Sequence, residues 1–363
     1  MIRFRLIKKG KDMSILTRPI LKISLENLAH NYRVLKNLTS ARPAAVVKAD
    51  AYGLGAEQVV TCLKEEGCDA FFVAHALEGI PLRSIVPEAD IYVLQGVGED
   101  CADLFKTYRL TPVIGSPQML SFWNTLNIKS VKPVIQVETG LNRLGFRSQD
   151  VAEYLHNASD KFSYVLSHLS CADDIHHFMN DYQKDNFEKI KNDFHLPATL
   201  SASDGVFLGK AYHYDMVRFG ATLYGLNCQQ NENLKPVAMV LAPVLQVANV
   251  PKGQYIGYGA TYQAEHDMKI AVVSIGYADG VKRCLSNKGF VKINGQKAPI
   301  VGRISMDNIM CDVTKLDGIH LGDMAFLLDD TYMADDMARD ADTIGYEILT
   351  SFGQAKRLKK VYE

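Results

Sequence analysis

The sequence has no C-x-x-C pair, no low-complexity tract and no apolar run near the roughly 18 residues that a membrane span requires. Its seven cysteines, an odd number scattered from Cys62 to Cys311, make no disulfide framework. They read as reduced, mostly buried thiols of a reducing compartment. Charge of one sign is missing too: 40 Lys and Arg face 41 Asp and Glu, a formal net charge of −1. That balance selects neither nucleic acid nor an anionic membrane as partner. The N-terminus mixes Ile2, Phe4, Leu6 and Ile7 with Arg3, Arg5, Lys8, Lys9 and Lys11, so it lacks the continuous apolar segment of a secretory signal. A cytoplasmic protein is expected. Met13 makes residues 1–16 read as an N-terminal extension.

What is present is ordinary globular composition, 47% hydrophobic and 22% charged over 363 residues, a length that suits two domains. After Ser24, a plausible N-cap, Leu25, Leu28, Ala29, Tyr32 and Leu35 recur at helical spacing. Short apolar runs follow at 44–48, 70–73, 91–95, 111–114, 134–137, 164–168, 199–202 and 216–219, most of them trailed by a helical stretch. Eight such units over roughly 200 residues is the count of a (β/α)8 barrel. The strand and helix units begin near residue 24, and the barrel domain is expected over 17–235. From 236 to 363 the pattern changes to period-2 and apolar runs at 237–250, 269–275, 290–293, 299–301, 308–313 and 324–328. Asn294-Gly295 between two of them is a hairpin signal. One helical stretch over 333–349 interrupts this mostly β C-terminal domain.

Barrel enzymes carry their reactive groups where the strands end and the βα loops begin. Lys48 is expected there on the first strand, Arg143 after the fifth, His168 on the sixth, Ser203 on the seventh and Arg218 on the eighth. A lysine at a strand end most often extends over apolar neighbours into water. Lys48 instead follows Pro43-Ala44-Ala45-Val46-Val47, and desolvation there would lower its pKa toward that of a Schiff-base nucleophile. The small and aromatic residues Ala49-Asp50-Ala51-Tyr52-Gly53 that follow suit a planar ligand. Ser203-Asp204-Gly205 and Arg218-Phe219-Gly220-Ala221 fall in the loops that commonly bind phosphate in this fold. An N-cap serine and a turn glycine would look the same locally. A lysine nucleophile facing a phosphate grip fits pyridoxal phosphate, and equally a lysine aldolase acting on a phosphorylated sugar. His168 alone could be a core histidine. His176-His177 lacks carboxylates at a ligand spacing, so no catalytic metal is expected. In the second domain Gly257-Tyr258-Gly259 and Gly276-Tyr277-Ala278-Asp279-Gly280 place tyrosines in glycine turns that would hold the phenols away from a core.

These residues carry a family resemblance. Val46-Val47-Lys48-Ala49-Asp50-Ala51-Tyr52-Gly53-Leu54-Gly55 is similar to the pyridoxal phosphate attachment motif of the alanine racemases. Thr139-Gly140-Leu141-Asn142-Arg143-Leu144-Gly145, Ser167-His168, Val217-Arg218-Phe219-Gly220 and Tyr258-Gly259-Ala260-Thr261 follow in the family's order. So do the Tyr277 motif and Val301-Gly302-Arg303-Ile304-Ser305-Met306-Asp307, and the resemblance spans about residues 17–363. It implies a homodimer that interconverts L- and D-alanine with pyridoxal 5'-phosphate, supplying D-alanine for peptidoglycan. Lys48 would hold the cofactor covalently and act as base toward D-alanine; Tyr258, supplied by the other subunit, would act on L-alanine. Tyr52, Ser203, Gly220, Ala221 and Tyr346 would hold the phosphate, and Arg218 would face the pyridine nitrogen with His168 beside it. Arg143 and the backbone of Met306 would bind the substrate carboxylate, and Tyr277 would shape the entrance.

Two positions depart from the family pattern. Gln136 stands where a carbamylated lysine often orients the arginine, and glutamine cannot form a carbamate. Thr199 stands where many members support the second arginine with a histidine. An arginine at the pyridine nitrogen opposes its protonation, whereas related decarboxylases usually carry a carboxylate there, so Arg218 favours a racemase. A racemase of serine or larger amino acids is the nearest alternative. A non-catalytic pyridoxal phosphate carrier is another, but it would normally lack the β domain.

Overall fold

Two sheets account for the alternation along the chain and for the place where it changes. The computed structural model describes residues 17–154, 159–227 and 231–363; the N-terminal extension, 1–16, lies outside them. After β1 (Ile20–Ile23) come β2 (Arg42–Val46), β3 (Ala70–Val73), β4 (Asp90–Val93) and β5 (Thr111–Ile114). The barrel continues with β6 (Val134–Gln136), β7 (Tyr164–Leu166), β8 (Ala198–Thr199) and β9 (Met216–Phe219). Strands β2 to β8 pair in sequence order and β9 pairs in parallel with β2. A bridge between Ala202 and Arg218 spans the remaining seam, so the eight-stranded barrel is nearly closed. The strands are the eight apolar runs of the sequence, because parallel strands covered by helices are buried on both faces. Ser24 caps the first helix, Leu25–Asn37, by accepting from Asn27 N at 3.1 Å, and Leu28, Tyr32 and Leu35 face the core.

The runs overshoot at the rim. The strands before Lys48 and His168 end at Val46 and Leu166, and Ser203 lies past a strand that ends at Thr199. Ladder pairing stops where the backbone turns into the loops, so these side chains belong to βα loops and not to the strands themselves.

The second domain is built on β10 (Ala238–Val250), β11 (Tyr255–Ile256), β12 (Tyr262–Gln263), β13 (Met268–Val273) and β14 (Phe290–Ile293). It is completed by β15 (Gln296–Pro299), β16 (Ile309–Asp312), β17 (Met324–Leu328) and β18 (Lys359–Tyr362). The long β10 is the hub and pairs with β1, β13 and β17. Asn294 (φ 52°) and Gly295 (φ 78°) make the expected hairpin, whose register places the second strand at Gln296–Pro299, before the 299–301 run. Ile20–Ile23, assigned with the barrel segment, pairs instead with β10 and β18. Its Leu21 and Ile23 are buried in that sheet, a placement set by partners more than 200 residues away in sequence. The helical stretch at 333–349 is two helices, Ala334–Asp340 and Gly345–Gln354, broken at Asp342 with φ 53°. One hydrophobic core runs through both domains. No helix among the described residues is long and apolar enough to cross a membrane.

Candidate active site

Lys48 opens a turn that L-residues seldom form. Ala49, Asp50, Ala51 and Tyr52 all have φ between 52° and 57°, one turn of left-handed helix without a glycine. That conformation costs about 1–2 kcal/mol per residue, so the surroundings must impose it. The Glu78 carboxylate does part of this: it accepts from Ala49 N at 2.8 Å and, through its other oxygen, from Ala74 N at 2.6 Å. Asp50 accepts from Ala56 N and pairs with Lys360 Nζ, each at 2.7 Å. The result sets Lys48 at one end of the turn and Tyr52 at the other, both on the wall of a cavity of about 890 Å³. Burial and the nearby Arg143 push the Lys48 ammonium below its ordinary range, against an opposing pull from Glu78.

Tyr52 is buried, its ring 4.8 Å from that of Tyr224 and 5.8 Å from that of Tyr346. Tyr224 in turn donates to Val46 O at 2.7 Å, tying this aromatic cluster to the strand that precedes Lys48. Ser203 Oγ accepts from Gly220 N at 2.7 Å, and a Cβ on Gly220 would stand 2.8 Å from the Tyr52 hydroxyl. Only glycine lets the Tyr52 hydroxyl come this close to the backbone. Ala221 follows, buried, at the start of a short 3-10 turn. Ser203, Tyr52 and Tyr346 line this part of the cavity with Gly220, and hydroxyls of this kind are suited to a phosphate.

Arg218, itself only 3% exposed, lines the same cavity. Its Nη1 donates to Thr199 Oγ1 at 2.6 Å, and its Nη2 to Ser167 O at 2.8 Å and Leu200 O at 3.1 Å. Thr199 spends its one hydroxyl proton on Met216 O at 2.8 Å, so it can only accept from the guanidinium. Thr199 therefore supports the arginine where the family pattern offers a histidine. Burial and Arg143 bring Arg218 down to about 9, still cationic at neutral pH. His168 Nδ1 lies 3.2 Å from Arg218 Nη2 and must accept. Burial first, then Arg218, Arg143 and Lys48, push His168 down to about 3, so the ring is neutral.

Arg143 lines the same cavity from the loop after β6. Gln136 is buried and donates from Nε2 to Leu144 O at 2.9 Å. It therefore fastens the Arg143 loop through the neighbouring backbone and not through the guanidinium.

The remaining candidates sit elsewhere. Tyr258, Tyr277 and Met306 are 72%, 43% and 51% exposed on the β domain, and none appears among the described residues that line the cavity. The Tyr277 and Met306 loops are tied to each other. Tyr277 N donates to Ser305 O at 3.0 Å and Ala278 N to Met306 O at 3.1 Å. Arg357 grips the buried Asp279 at 2.9 and 2.8 Å and Asp307 at 2.6 Å. Sequence reasoning missed Glu78 and Asp204. Glu78 in the first turn after β3 was a visible signal, a carboxylate at a rim; Asp204, whose carboxyl burial pushes up, sits beside the named Ser203 and accepts from Asn227 Nδ2 at 3.0 Å.

A barrel rim that sets a desolvated amine across from an anion cradle defines an enzyme working on a phosphate-bearing aldehyde, as cofactor or as substrate. The attached β domain narrows the class further. Residues 23–228 match the family described as alanine racemase, N-terminal domain, and residues 237–362 match alanine racemase, C-terminal domain. The chain belongs to the alanine racemase family, a family of isomerases. It is 38% identical to the alanine racemase of Brucella abortus over 94% of this chain and 93% of that one. It is 41% identical to the catabolic alanine racemase of Mesorhizobium japonicum, over 92% and 91%. The crystal structure of the Bartonella henselae alanine racemase with covalently bound pyridoxal phosphate superposes with a TM-score of 0.91 at 35% identity, over 96% of this chain and 100% of that one.

Proposed function

We propose that this chain interconverts L-alanine and D-alanine with pyridoxal 5'-phosphate by a two-base mechanism, in a homodimer whose sites are shared. The group fits the residues present: a lysine amine for its aldehyde, the Ser203, Gly220, Ala221, Tyr52 and Tyr346 cradle for its phosphate, and a cavity of about 890 Å³ that Lys48 and that cradle both line. When bound, it supplies an electron-withdrawing ring that acidifies the substrate α-proton. Lys48 would hold the group covalently at rest, and the same Nζ, once freed by the substrate amine, would take and return the proton on one face. Inversion needs a second proton carrier on the other face, and the phenol of Tyr258 of the partner subunit is that group. Arg143 binds the substrate carboxylate together with the backbone of Met306 of the partner subunit, while Tyr277 of the partner subunit shapes the entrance. Arg218, cationic and surrounded by acceptors, sits where it would oppose protonation of the ring nitrogen; His168, neutral, keeps Arg218 in place. The product D-alanine serves peptidoglycan synthesis in the cytoplasm.

The observation that carries this reading is the junction of Lys48, Arg218 and the Ser203–Gly220 contact in one cavity. The exposure of Tyr258, Tyr277 and Met306 away from that cavity supports the shared site. The test is polarimetry: purified protein with pyridoxal phosphate should carry L-alanine to zero rotation, and Lys48→Ala should not. A wild-type protein that binds the cofactor yet leaves the rotation of alanine unchanged would reject the activity.

A further inference from the structure

The left-handed turn that begins at Lys48 is held from three directions, and the C-terminal end of the chain supplies one of them. Inside the turn, Ala51 N donates to Val47 O at 2.9 Å and Gly53 N to Ala49 O at 2.8 Å. From the barrel come Glu78 and the Asp50–Ala56 contact. From the second domain, Gln354 Nε2 donates to Ala49 O at 3.2 Å and Lys360 reaches Asp50. There is also a backbone-to-backbone contact: a Cβ on Gly353 would lie 2.3 Å from Gly53 Cα, and one on Gly53 would lie 2.6 Å from Gly353 Cα. Gly53 has φ 85° and closes the turn, so the last turn of the helix Gly345–Gln354 lies directly on its C-terminal end. The same helix carries Tyr346 beside Tyr52.

Of residues 49–52 only Asp50 is a type that visits positive φ readily, and then as a single residue; Ala49, Ala51 and Tyr52 do not. The conformation therefore depends on what surrounds it, and the surface that closes over it is the end of that helix. We infer that Gly353 and Gln354 are positioning residues of the reaction: they form the mould that keeps the Lys48 turn left-handed, so the second domain sets the place of the barrel's lysine and of Tyr52. The inference rests on the role proposed for Lys48. Gly353 acts by having no side chain and Gln354 by one hydrogen bond to the carbonyl of the residue after the lysine. Neither touches the cavity, whose described lining ends at Tyr346 on this helix.

The test uses the full chain and three variants. Gly353→Ala puts a methyl into a backbone contact; Gln354→Met keeps the bulk and removes the donor; Glu347→Gln weakens the Lys282 ion pair on the outer side of the same helix without touching the turn. Two readouts are needed. The first is kcat and KM for alanine of the holoenzyme over pH. The second, on cofactor-free protein, is competitive acetylation of Lys48 Nζ against pH, read by peptide mass spectrometry, since that amine faces Arg143, Glu78 and Arg218. Gly353→Ala should cut kcat by ten-fold or more and Gln354→Met by about three-fold, both moving Lys48 labelling toward that of an ordinary lysine. Glu347→Gln should keep wild-type values in both readouts, even with a lower melting temperature. If Gly353→Ala does not fold, Gln354→Met decides alone. Wild-type kcat and unchanged labelling in the folded variants overturn the inference, as does a loss of activity that follows the melting temperature with unchanged labelling. The labelling needs no turnover, so failure of the racemase reading would show in wild-type polarimetry and leave this result separately readable.

Discussion

The two halves of the proposed site are built on opposite principles. Around Lys48 and Arg218 the chain supplies every support itself: buried acceptors, a strained turn clamped from both domains, and a glycine that lets the Tyr52 hydroxyl approach the backbone. Around Tyr258, Tyr277 and Met306 it supplies order without enclosure. Arg357, Asp279 and Asp307 brace the Tyr277 and Met306 loops, yet all three proposed side chains stand in solvent. A large phenol held exposed by glycines is suited to another surface and not to its own core. On the proposed reading, the difference separates what one chain completes from what a second would supply.

The strongest way to break that comparison is to divide the two bases between chains. Lys48→Ala and Tyr258→Phe homodimers should each be nearly inactive, since every site lacks one base. In a mixed dimer with shared sites, one site carries both lesions and the other carries none. Random subunit exchange should therefore restore up to about a quarter of wild-type activity, half of the dimers being mixed with one intact site in two. Mixed dimers proven by two affinity tags but without recovery would place both bases in one chain and end the shared-site proposal.

The enclosed half can be probed through its charge. Arg218→Glu replaces a cation by an anion at the ring nitrogen's proposed place, and should lower racemisation while raising pyruvate formed by side transamination. An unchanged ratio of the two in a folded variant would remove Arg218 from that contact. A gentler variant tests its support. Thr199→Val removes a hydrogen bond to a buried charge, worth about 1.5–3 kcal/mol, so the melting temperature should fall and the transamination ratio rise. Thr199→Ser should stay near wild type in both. Equal behaviour of the valine and serine variants would mean that the hydroxyl does nothing for the arginine.

How much of this contrast the sequence shows depends on how local its cause is. The barrel strands were legible because burial on both faces writes itself into each run, as at 70–73, 111–114 and 216–219. The exposure of Tyr258 was legible in its flanking glycines. The left-handed turn was not, because Ala49, Asp50, Ala51 and Tyr52 carry no glycine signal and owe their conformation to Glu78, Gln354 and Gly353, distant in sequence. The same cause hid β1, whose partners lie in β10 and β18. Local pattern reports burial; it does not report which distant element does the burying.

Acid should separate the halves further. His168 titrates near 6.5 when unfolded and about 3 when folded, so between those values the unfolded state binds more protons. The stability that goes with the neutral ring is fully present above pH 6.5 and is lost as pH falls toward 3. His168→Asn should flatten that part of a melting temperature against pH curve. The Tyr258→Phe variant, altered only on the exposed half, should follow the wild-type curve. A His168→Asn curve as steep as wild type would show that another group drives the acid loss.

The smallest effect is expected at Gln136, where the enclosed half departs from the family pattern. Its amide holds the Leu144 carbonyl, next to Arg143, and an amide nitrogen cannot take up carbon dioxide as an amine does. Wild-type activity should therefore be the same with bicarbonate present or removed. Gln136→Lys puts an amine at a buried position that also contacts the Arg143 loop, and intact mass should then report whether a carbamate forms. If it forms, the carboxylate gained beside Arg143 should lower the KM for alanine in a bicarbonate-dependent way, because the arginine would be held by a charge in place of a neighbouring backbone bond. If no carbamate forms and KM is unchanged, the Gln136 to Leu144 bond is dispensable for substrate binding. Bicarbonate dependence in the wild-type protein would be a different outcome: it would mean that an amine other than one at position 136 serves Arg143, and the support assigned to Gln136 would be wrong.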